Sequence, residues 1–287
     1  MTTYVASGFS RTSCFMPETL GQYKILDRVG AGRLGEVYRA RDTRLGRTVA
    51  IRMLAADLAA DLDRRDQILE RARLAAALSH PNIAALYEIG ADAGRPYLVY
   101  EFAAGKTLSA IIGGQPLNPR RAIDLGAQIA DALAAAHAED VACGALTAAS
   151  IVVTPKGNAK ILDFGLVAVT LAERAGQAAD LSAIGEVLFQ MLTGTPYSGT
   201  TDGLLPAALD PIVSKAIGKG DSGAYESAAT LAAELRVVAA KLDARAAAAP
   251  AADGSVVVRQ AKRSSAGWVW FAIAAGVLAA AAWYFLT

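Results

Sequence analysis

The sequence predicts an α+β fold in which a small β-rich amino-terminal part precedes a larger, mainly helical carboxyl-terminal part. Short runs of β-branched and aromatic residues dominate from Tyr23 to Tyr100, whereas apolar residues recur at helical spacing beyond Gly105. At 287 residues the chain is long enough to bury an ample core. An uncharged apolar stretch near the carboxyl end predicts one membrane-spanning helix in addition.

The amino-terminal part is predicted to form a small sheet with one long helix. The helix is expected over Asp63–Ser79, where Ile68 and Ala72 give helical spacing. Strands are predicted over Tyr23–Val29, Val37–Arg41, Arg47–Leu54, Ile83–Gly90 and Tyr97–Phe102.

The carboxyl-terminal part is predicted to be built on helices around two short strands. Asp180 is expected to cap the helix Leu181–Thr193, which Gly194 ends. Further helices are predicted over Pro119–Glu139, Asp210–Lys219 and Glu226–Leu242, and the strands over Ile151–Thr154 and Ala159–Leu162.

Composition excludes several classes of protein. The net charge of +1 gives no electrostatic reason to expect nucleic-acid binding. Cys14 and Cys143 stand far apart and form no C-x-x-C pair, so neither a disulfide framework nor a zinc site is expected. The two histidines, His80 and His137, are expected to have structural roles. No secretory signal is expected at the amino terminus.

The carboxyl end predicts a membrane anchor. Trp268–Leu286 gives 19 apolar residues, about 28 Å of helix at 1.5 Å per residue. Aromatic residues at both ends are typical of membrane interfaces, and basic residues such as Arg263 precede the segment. We therefore expect a single-pass protein of the inner (cytoplasmic) membrane with its large domain in the cytoplasm; a buried apolar helix is the alternative.

Four short sequence motifs follow one another along the chain, and their order and spacing carry a resemblance to a known family. The run G-A-G-R-L-G-E-V-Y at 30–38 fits G-x-G-x-x-G-x-V-Y, and V-A-I-R, H-P-N-I and I-L-D-F-G follow at 49–52, 80–83 and 161–165. As a set, over about residues 21–240, they resemble the eukaryotic-like (Hanks-type) bacterial protein Ser/Thr kinases. The resemblance implies a bilobal protein-kinase-like fold. Its parts would be a leader at 1–20, an amino lobe at 21–102, a carboxyl lobe at 103–242, a linker at 243–265 and a transmembrane helix at 266–287.

The resemblance also implies a nucleotide site between the lobes. Glycines let a backbone approach phosphates closely, although a plain hairpin would also accommodate them. Asp163 would hold Mg²⁺ beside ATP, or else only cap local backbone. Tyr100 would stand at the gatekeeper position. The residues expected to bind the nucleotide are Val29, Gly30, Gly32, Gly35, Val37, Ala50, Arg52, Glu101 and Ala103.

Arg52 stands where the family carries a lysine on its third strand. A guanidinium is longer and planar, and it does not mimic a compact ammonium. Glu70 on the long helix matches the family's ion-pair partner for that lysine. We therefore expect a structural ion pair between Arg52 and Glu70, with contact to the nucleotide as the alternative.

The catalytic loop is the region that departs most from the family. Residues 141–151 align on I-V-H-R-D-L-K-P-x-N-I, and Ala145 occupies the position of the catalytic aspartate. Thr147 and Ser150 replace the lysine and the metal-binding asparagine, and Gly144 replaces the arginine. Loss of a general base alone lowers a rate by about 10²–10⁴. In the family, the residue matching Asp180 braces the backbone of this loop.

The activation segment is also reduced. Only 14 residues, Leu166–Ala179, separate Gly165 from Asp180, and no A-P-E sequence follows. A peptide-binding platform does not fit comfortably in that length.

These departures lead to the expectation of a membrane-anchored pseudokinase that is not an enzyme and acts as a scaffold or allosteric partner in signalling. Its partners would be kinases, phospho-dependent readers or envelope machinery. The alternative is a nucleotide-binding protein Ser/Thr kinase with weak or atypical ATP-dependent phosphotransfer. A third hypothesis is a switch that binds ATP without turning it over. ATP and Mg²⁺ are thus expected to bind weakly or not at all.

Overall fold

The computed structural model describes residues 18–166, 176–201, 203–218 and 224–248. The two lobes lie within one compact unit that ends at Ala244. A second unit spans 245–287, and its described part is limited to the four residues from Arg245 to Ala248.

The amino lobe is built on a six-stranded sheet that is antiparallel throughout. Neighbouring strands follow the order β1-β2-β3-β4-β6-β5. Val49 and Ile51 on one face are fully buried with Tyr38 and Val99, as alternation along a half-buried strand requires. The strands are β1 (Thr19–Leu20), β2 (Tyr23–Gly32), β3 (Gly35–Asp42), β4 (Arg47–Leu54), β5 (Leu86–Asp92) and β6 (Arg95–Glu101).

Two helices follow β4 and cover the other face of the sheet. The short α1 (Ala56–Ala60) precedes α2 (Leu62–Ala76), and the Asp61 side chain caps α2 by accepting a bond from the Arg64 amide at 3.1 Å. Ile68 and Ala72 point inward from α2 and are fully buried. This packing leaves the opposite face of α2 in solvent.

The carboxyl lobe is helical around a three-stranded sheet of order β7-β8-β9. Its 20-residue helix α4 begins with the Asn118 cap and Pro119, and it buries ten residues in the main core. The elements are β7 (Lys106–Thr107), α3 (Leu108–Ile112), α4 (Pro119–Ala138), β8 (Ile151–Val153), β9 (Ala159–Ile161), α5 (Gln177–Thr193), α6 (Asp210–Ile217) and α7 (Ala228–Ala248).

Hydrogen bonds at the segment 82–84 join the lobes. The Ala84 amide donates to the Ile161 carbonyl at 2.9 Å, and the Ile161 amide donates to the Asn82 carbonyl at 2.8 Å. The Asn82 side chain donates to the Ala159 carbonyl at 2.7 Å. The strand that leads to Asp163 is therefore held against the amino lobe.

The predicted bilobal fold is confirmed, and several predicted bounds of helices are wrong, among them the end of α2, which is Ala76 and not Ser79. α5 begins at Gln177 with Gly176 as its cap, so Asp180 lies within the first turn and not at the cap. α7 continues to Ala248, so the first residues of the predicted linker at 243–265 are helical. Alanine is the strongest helix former, which extends α7 through this alanine-rich stretch.

Three predictions fall wholly or largely outside the described residues. They are the leader at 1–20, the shortened activation segment and the transmembrane helix at 266–287. Within the ranges that are described, no helix combines the length and apolar character needed to cross a membrane.

Candidate functional site

A glycine-rich hairpin forms the roof of the cleft between the lobes. Gly32 lies opposite Gly35 across the turn, and Gly30 lies opposite Val37. Gly35 has φ +123°, and a Cβ there would come within 2.0 Å of the Met53 carbonyl oxygen. Only glycine fits at that position, and the reason is the close approach of β4, not a ligand.

The other two glycines of the motif have open space beside them. A Cβ on Gly30 would meet nothing within 4 Å, and a Cβ on Gly32 would meet only the Arg52 guanidinium, at 4.0 Å. Internal packing therefore does not explain either residue. Both leave room for a group that approaches the hairpin backbone from the cleft, as phosphates do in glycine-rich loops.

Arg52 joins the two lobes across the cleft. Its Nε donates to Asp163 Oδ1 at 2.9 Å, and its Nη2 donates to Asp163 Oδ2 in a second, short bond. Its Nη1 donates to the Gly35 carbonyl at 3.2 Å. The side chains of Arg52 and Asp163 are only 11% and 14% exposed, so this is a largely buried bidentate ion pair.

The predicted ion pair between Arg52 and Glu70 is not formed. Among the described residues Glu70 has no ion-pair partner, and its side chain is exposed on the outer face of α2. There it lines a surface pocket with Asp63, Asp66, Gln67, Leu69 and Arg73. The physical reason is that the guanidinium fork matches both oxygens of a carboxylate that lies across the cleft. No local sequence signal identifies that partner, because it is 111 residues away.

Tyr100 lies behind this ion pair. Its ring is 8% exposed, and its hydroxyl finds no hydrogen-bond partner in the described part of the chain. Burial raises the pKa of the Tyr100 phenol well above its usual value, and the Asp163 carboxylate raises it further. An orphaned buried hydroxyl at the back of the cleft is consistent with a site that takes a polar ligand or water.

Glu101 closes the other side of the cleft entrance. Its carboxylate pairs with Lys160 on β9 at 2.6 Å, and its amide donates to the Ala85 carbonyl at 2.8 Å. Val49 and Glu101 are register partners, as are Ala50 and Tyr100, so Ala50 and Glu101, which were both predicted to bind the nucleotide, lie on the neighbouring strands β4 and β6. The Lys160 pair was not predicted, because its partner Glu101 is 59 residues away along the chain.

Asp180 braces the loop at the floor of the site. It is 1% exposed and accepts bonds from the amides of Cys143 at 2.8 Å and Gly144 at 2.7 Å. The His137 ring lies 2.7 Å from the same carboxylate. The backbone of the catalytic loop is thus held as the resemblance implies, and His137 has a structural partner.

The polar side chains of the catalytic loop bond to the loop itself. Ser150 Oγ donates to the Thr147 carbonyl at 2.9 Å and accepts from the Thr147 amide at 3.0 Å. Ala145 carries no group that accepts a proton. Burial raises the pKa of Cys143 to about 12, so its thiol is not a nucleophile at neutral pH.

The site suits a nucleotide better than it suits a divalent cation. Both Asp163 oxygens bond to Arg52, and the Ser150 hydroxyl bonds to its own loop. Across the described ranges no three His, Cys, Asp or Glu residues cluster as a metal site. The open space beside Gly30 and Gly32 remains free for sugar and phosphate groups. Magnesium therefore does not fit this arrangement of side chains.

A two-lobed fold with a glycine-rich hairpin over an interlobe ion pair is typical of the protein kinase fold. The profile of the protein kinase domain family matches residues 23–174, just over half of the chain. The chain therefore belongs to the protein kinase family.

The relatives it matches are bacterial serine/threonine-protein kinases. It is 29% identical to PrkC of Bacillus subtilis over 260 residues, which cover 75% of this chain and 40% of PrkC. It is 30% identical to PknB of Mycobacterium leprae over 268 residues, which cover 76% of this chain and 43% of PknB. The chain thus spans about two fifths of the length of these relatives.

Solved structures support the fold. The crystal structure of the Mycobacterium tuberculosis PknI kinase domain matches with a TM-score of 0.67 at 20% identity, covering 76% of this chain and 97% of that domain. At this identity the likeness is one of fold alone.

The prediction that the chain is not an enzyme is wrong. The chain belongs to the protein kinase family, and the relatives above are named serine/threonine-protein kinases. The prediction rested on side chains missing from the catalytic loop, and such losses reduce the rate of a reaction without changing its class.

Proposed function

We propose that this chain is a nucleotide-binding protein Ser/Thr kinase with weak or atypical ATP-dependent phosphotransfer to protein hydroxyl groups. One observation carries the proposal. Gly30 and Gly32 have open space beside them, and the Arg52 guanidinium lies 4.0 Å from a Cβ position on Gly32. A backbone cradle beside a fixed cation is suited to phosphate.

The chemistry would depend on positioning. Transfer of the γ-phosphoryl group breaks its bond to the ADP oxygen and forms a bond to the acceptor hydroxyl, whose proton passes to the phosphoryl group or to solvent. The transition state is loose in most accounts, so orientation and charge stabilisation contribute more than a base does. Without a carboxylate at Ala145 we expect a rate about 10²–10⁴ below that of a kinase with a complete loop.

Nucleotide binding can be measured by thermal unfolding of the full chain with and without ATP. A ligand at 100 times its Kd stabilises the native state by about 2.7 kcal/mol, which raises the midpoint visibly. Gly32→Val should abolish the shift, because its side chain fills the open space, while the unliganded chain stays folded. Arg44→Lys, at an exposed turn outside the cleft, is the matched control and should keep the shift.

Phosphotransfer is tested with ATP labelled at the γ-phosphate and a general protein acceptor. The proposal expects slow incorporation into Ser or Thr that disappears in Gly32→Val and persists in Arg44→Lys. ATP binding without any incorporation above the Gly32→Val background would refute the transfer step, and the absence of ATP binding would refute the whole proposal.

From the sequence we separately propose where the chain is located in the cell and where it meets its partners. The apolar segment Trp268–Leu286 supports a membrane anchor, with the kinase domain at the cytoplasmic face and its protein substrates or partners in the same place. Deletion of residues 266–287 should move the chain from the membrane fraction to the soluble fraction. Retention of the truncated chain in membranes would contradict the anchor.

A further inference from the structure

The charge of the cleft is balanced without a metal ion. In a site where a lone aspartate faces the phosphates, its negative charge repels them until a cation neutralises it. Here the Arg52 guanidinium already bonds to both Asp163 oxygens. The repulsion is therefore removed by a side chain of the protein.

The same contacts set the Arg52 cation against both Asp163 oxygens, where it repels a divalent cation. Mg²⁺ is held by carboxylate oxygens in a near-octahedral arrangement, and it gives up its water reluctantly. To reach Asp163 it would have to displace a bidentate bond between side chains that are 11% and 14% exposed. Ser150, at the position of the second metal ligand, already bonds to the Thr147 carbonyl at 2.9 Å.

The guanidinium keeps donors for a ligand. Of its five N–H groups, two bond to Asp163 and one to the Gly35 carbonyl. The remaining two are on Nη1 and Nη2, and Nη1 is the atom that lies 4.0 Å from a Cβ position on Gly32. The donors that remain are thus next to the open space of the cradle.

A second cation lies in the turn of the same hairpin. Arg33 forms this turn with Leu34, is exposed, and has no ion-pair partner within the described ranges. Lys160 is not available to an anionic ligand, because its ammonium bonds to Glu101 at 2.6 Å. Arg52 is therefore the cation that the structure places beside the open space.

We propose that the cleft binds nucleoside triphosphate without a divalent cation, with Arg52 in the charge-neutralising role of the metal and Asp163 as the positioning residue that holds it. This inference rests on the proposed nucleotide-binding function. It predicts that the affinity for ATP is nearly the same with and without Mg²⁺. It also predicts that Arg52→Lys, which places the family's lysine at this position, makes ATP binding depend on Mg²⁺.

The test measures the Kd of ATP for the full chain by calorimetry, once with EDTA and once with Mg²⁺. For the wild-type chain the two values should agree within about threefold. Arg52→Lys replaces the bidentate fork by a point charge and frees one Asp163 oxygen, so Mg²⁺ should tighten its ATP binding about tenfold or more. Arg44→Lys makes the same chemical change at an exposed position and should behave as wild type.

Asp163→Asn provides a second readout that does not depend on the folding of Arg52→Lys. It removes the carboxylate that pairs with Arg52 and frees the guanidinium, so ATP should bind in EDTA at least as tightly as to wild type. A site that depends on metal would lose ATP binding in this variant.

Each result has a distinct meaning. If Mg²⁺ strengthens wild-type binding more than about threefold, the inference is overturned and the nucleotide-binding proposal stands. If folded Arg52→Lys is as insensitive to Mg²⁺ as wild type, or if Asp163→Asn loses ATP, the assignment to Arg52 is overturned. If ATP binds under neither condition, the proposed function itself fails.

Discussion

The chain keeps two buried aspartates in its site, and they are held in different ways. Asp180 accepts two backbone amide bonds and contacts His137, so all of its partners belong to the carboxyl lobe. Asp163 pairs with one side chain, Arg52, which belongs to the other lobe. Asp180 therefore holds the backbone of one loop, whereas Asp163 ties the two lobes together through a side-chain pair.

Asp180→Ala should have the largest effect on stability. It leaves two buried amide groups and the His137 ring without their acceptor, and we expect the free energy of unfolding to fall by about 3–5 kcal/mol. Urea unfolding of the full chain measures it. Asp66→Ala is the control, because Asp66 is exposed and pairs only with neighbouring Arg65, and it should cost less than about 1 kcal/mol. Equal decreases in the free energy of unfolding for the two variants would show that Asp180 stabilises the fold no more than an exposed aspartate does.

A double-mutant cycle on Arg52 and Asp163 tests the interlobe pair. Arg52→Met and Asp163→Asn each leave a largely buried partner unmatched, so each should cost about 2–4 kcal/mol in urea unfolding. The double variant should be less destabilised than the sum, with a coupling of about 1–3 kcal/mol. Costs that add within about 0.5 kcal/mol would mean that the two side chains do not stabilise one another.

Two glycines of one motif should respond differently to alanine. Gly35→Ala places a methyl group 2.0 Å from the Met53 carbonyl oxygen in a left-handed backbone, and we expect a loss of at least about 2 kcal/mol. Gly32→Ala meets open space and should change stability by less than about 0.5 kcal/mol. Thermal unfolding in the absence of ligand compares them. Similar melting temperatures would show that the hairpin is not packed on β4 as described.

The stability of the chain at alkaline pH tests the burial of Cys143, whose backbone amide bonds to Asp180. Burial raises the pKa of Cys143 to about 12, whereas a thiol in an unfolded chain has a pKa of about 8.5. The unfolded state therefore loses its proton first, and stability falls as the pH rises above about 8.5. We expect the titration of this thiol to lower the free energy of unfolding by about 1 kcal/mol between pH 8.5 and 9.5.

Cys143→Ala isolates that decrease from the titration of other groups. The difference in unfolding free energy between wild type and this variant should narrow as the pH rises. A difference that stays constant over that interval would show that the thiol is not buried in the folded state.

Local pattern was sufficient for most of the elements. Strand β4, Arg47–Leu54, was predicted with both of its ends, because turn residues flank an alternating run. The left-handed glycine that ends α5, Gly194, was also predicted, and it has φ +82°. The beginning of α5 was missed by four residues, because an acidic residue in a first turn resembles a cap in sequence.

The nucleotide-binding role of the named residues stays a prediction, and the pairing predicted for Arg52 was wrong. The resemblance named Arg52, Asp163 and the three glycines, and the structure places Gly35 and Asp163 within bonding distance of Arg52. It also named Glu70 as the partner of Arg52, and that was wrong. Helical periodicity fixes which face of α2 is buried, but it does not fix how far that helix lies from a given strand.

The sequence by itself determined the order of elements, the family, and the absence of a carboxylate at Ala145, because these depend on local propensity and on residue identity. Only the tertiary structure decided which groups meet. It placed Asp180 within the first turn of α5 and not at its cap, and it paired Asp163 with Arg52 from 111 residues away. The physical reason is that a charge in a buried cleft takes the partner that best satisfies it in three dimensions, whatever its distance along the chain.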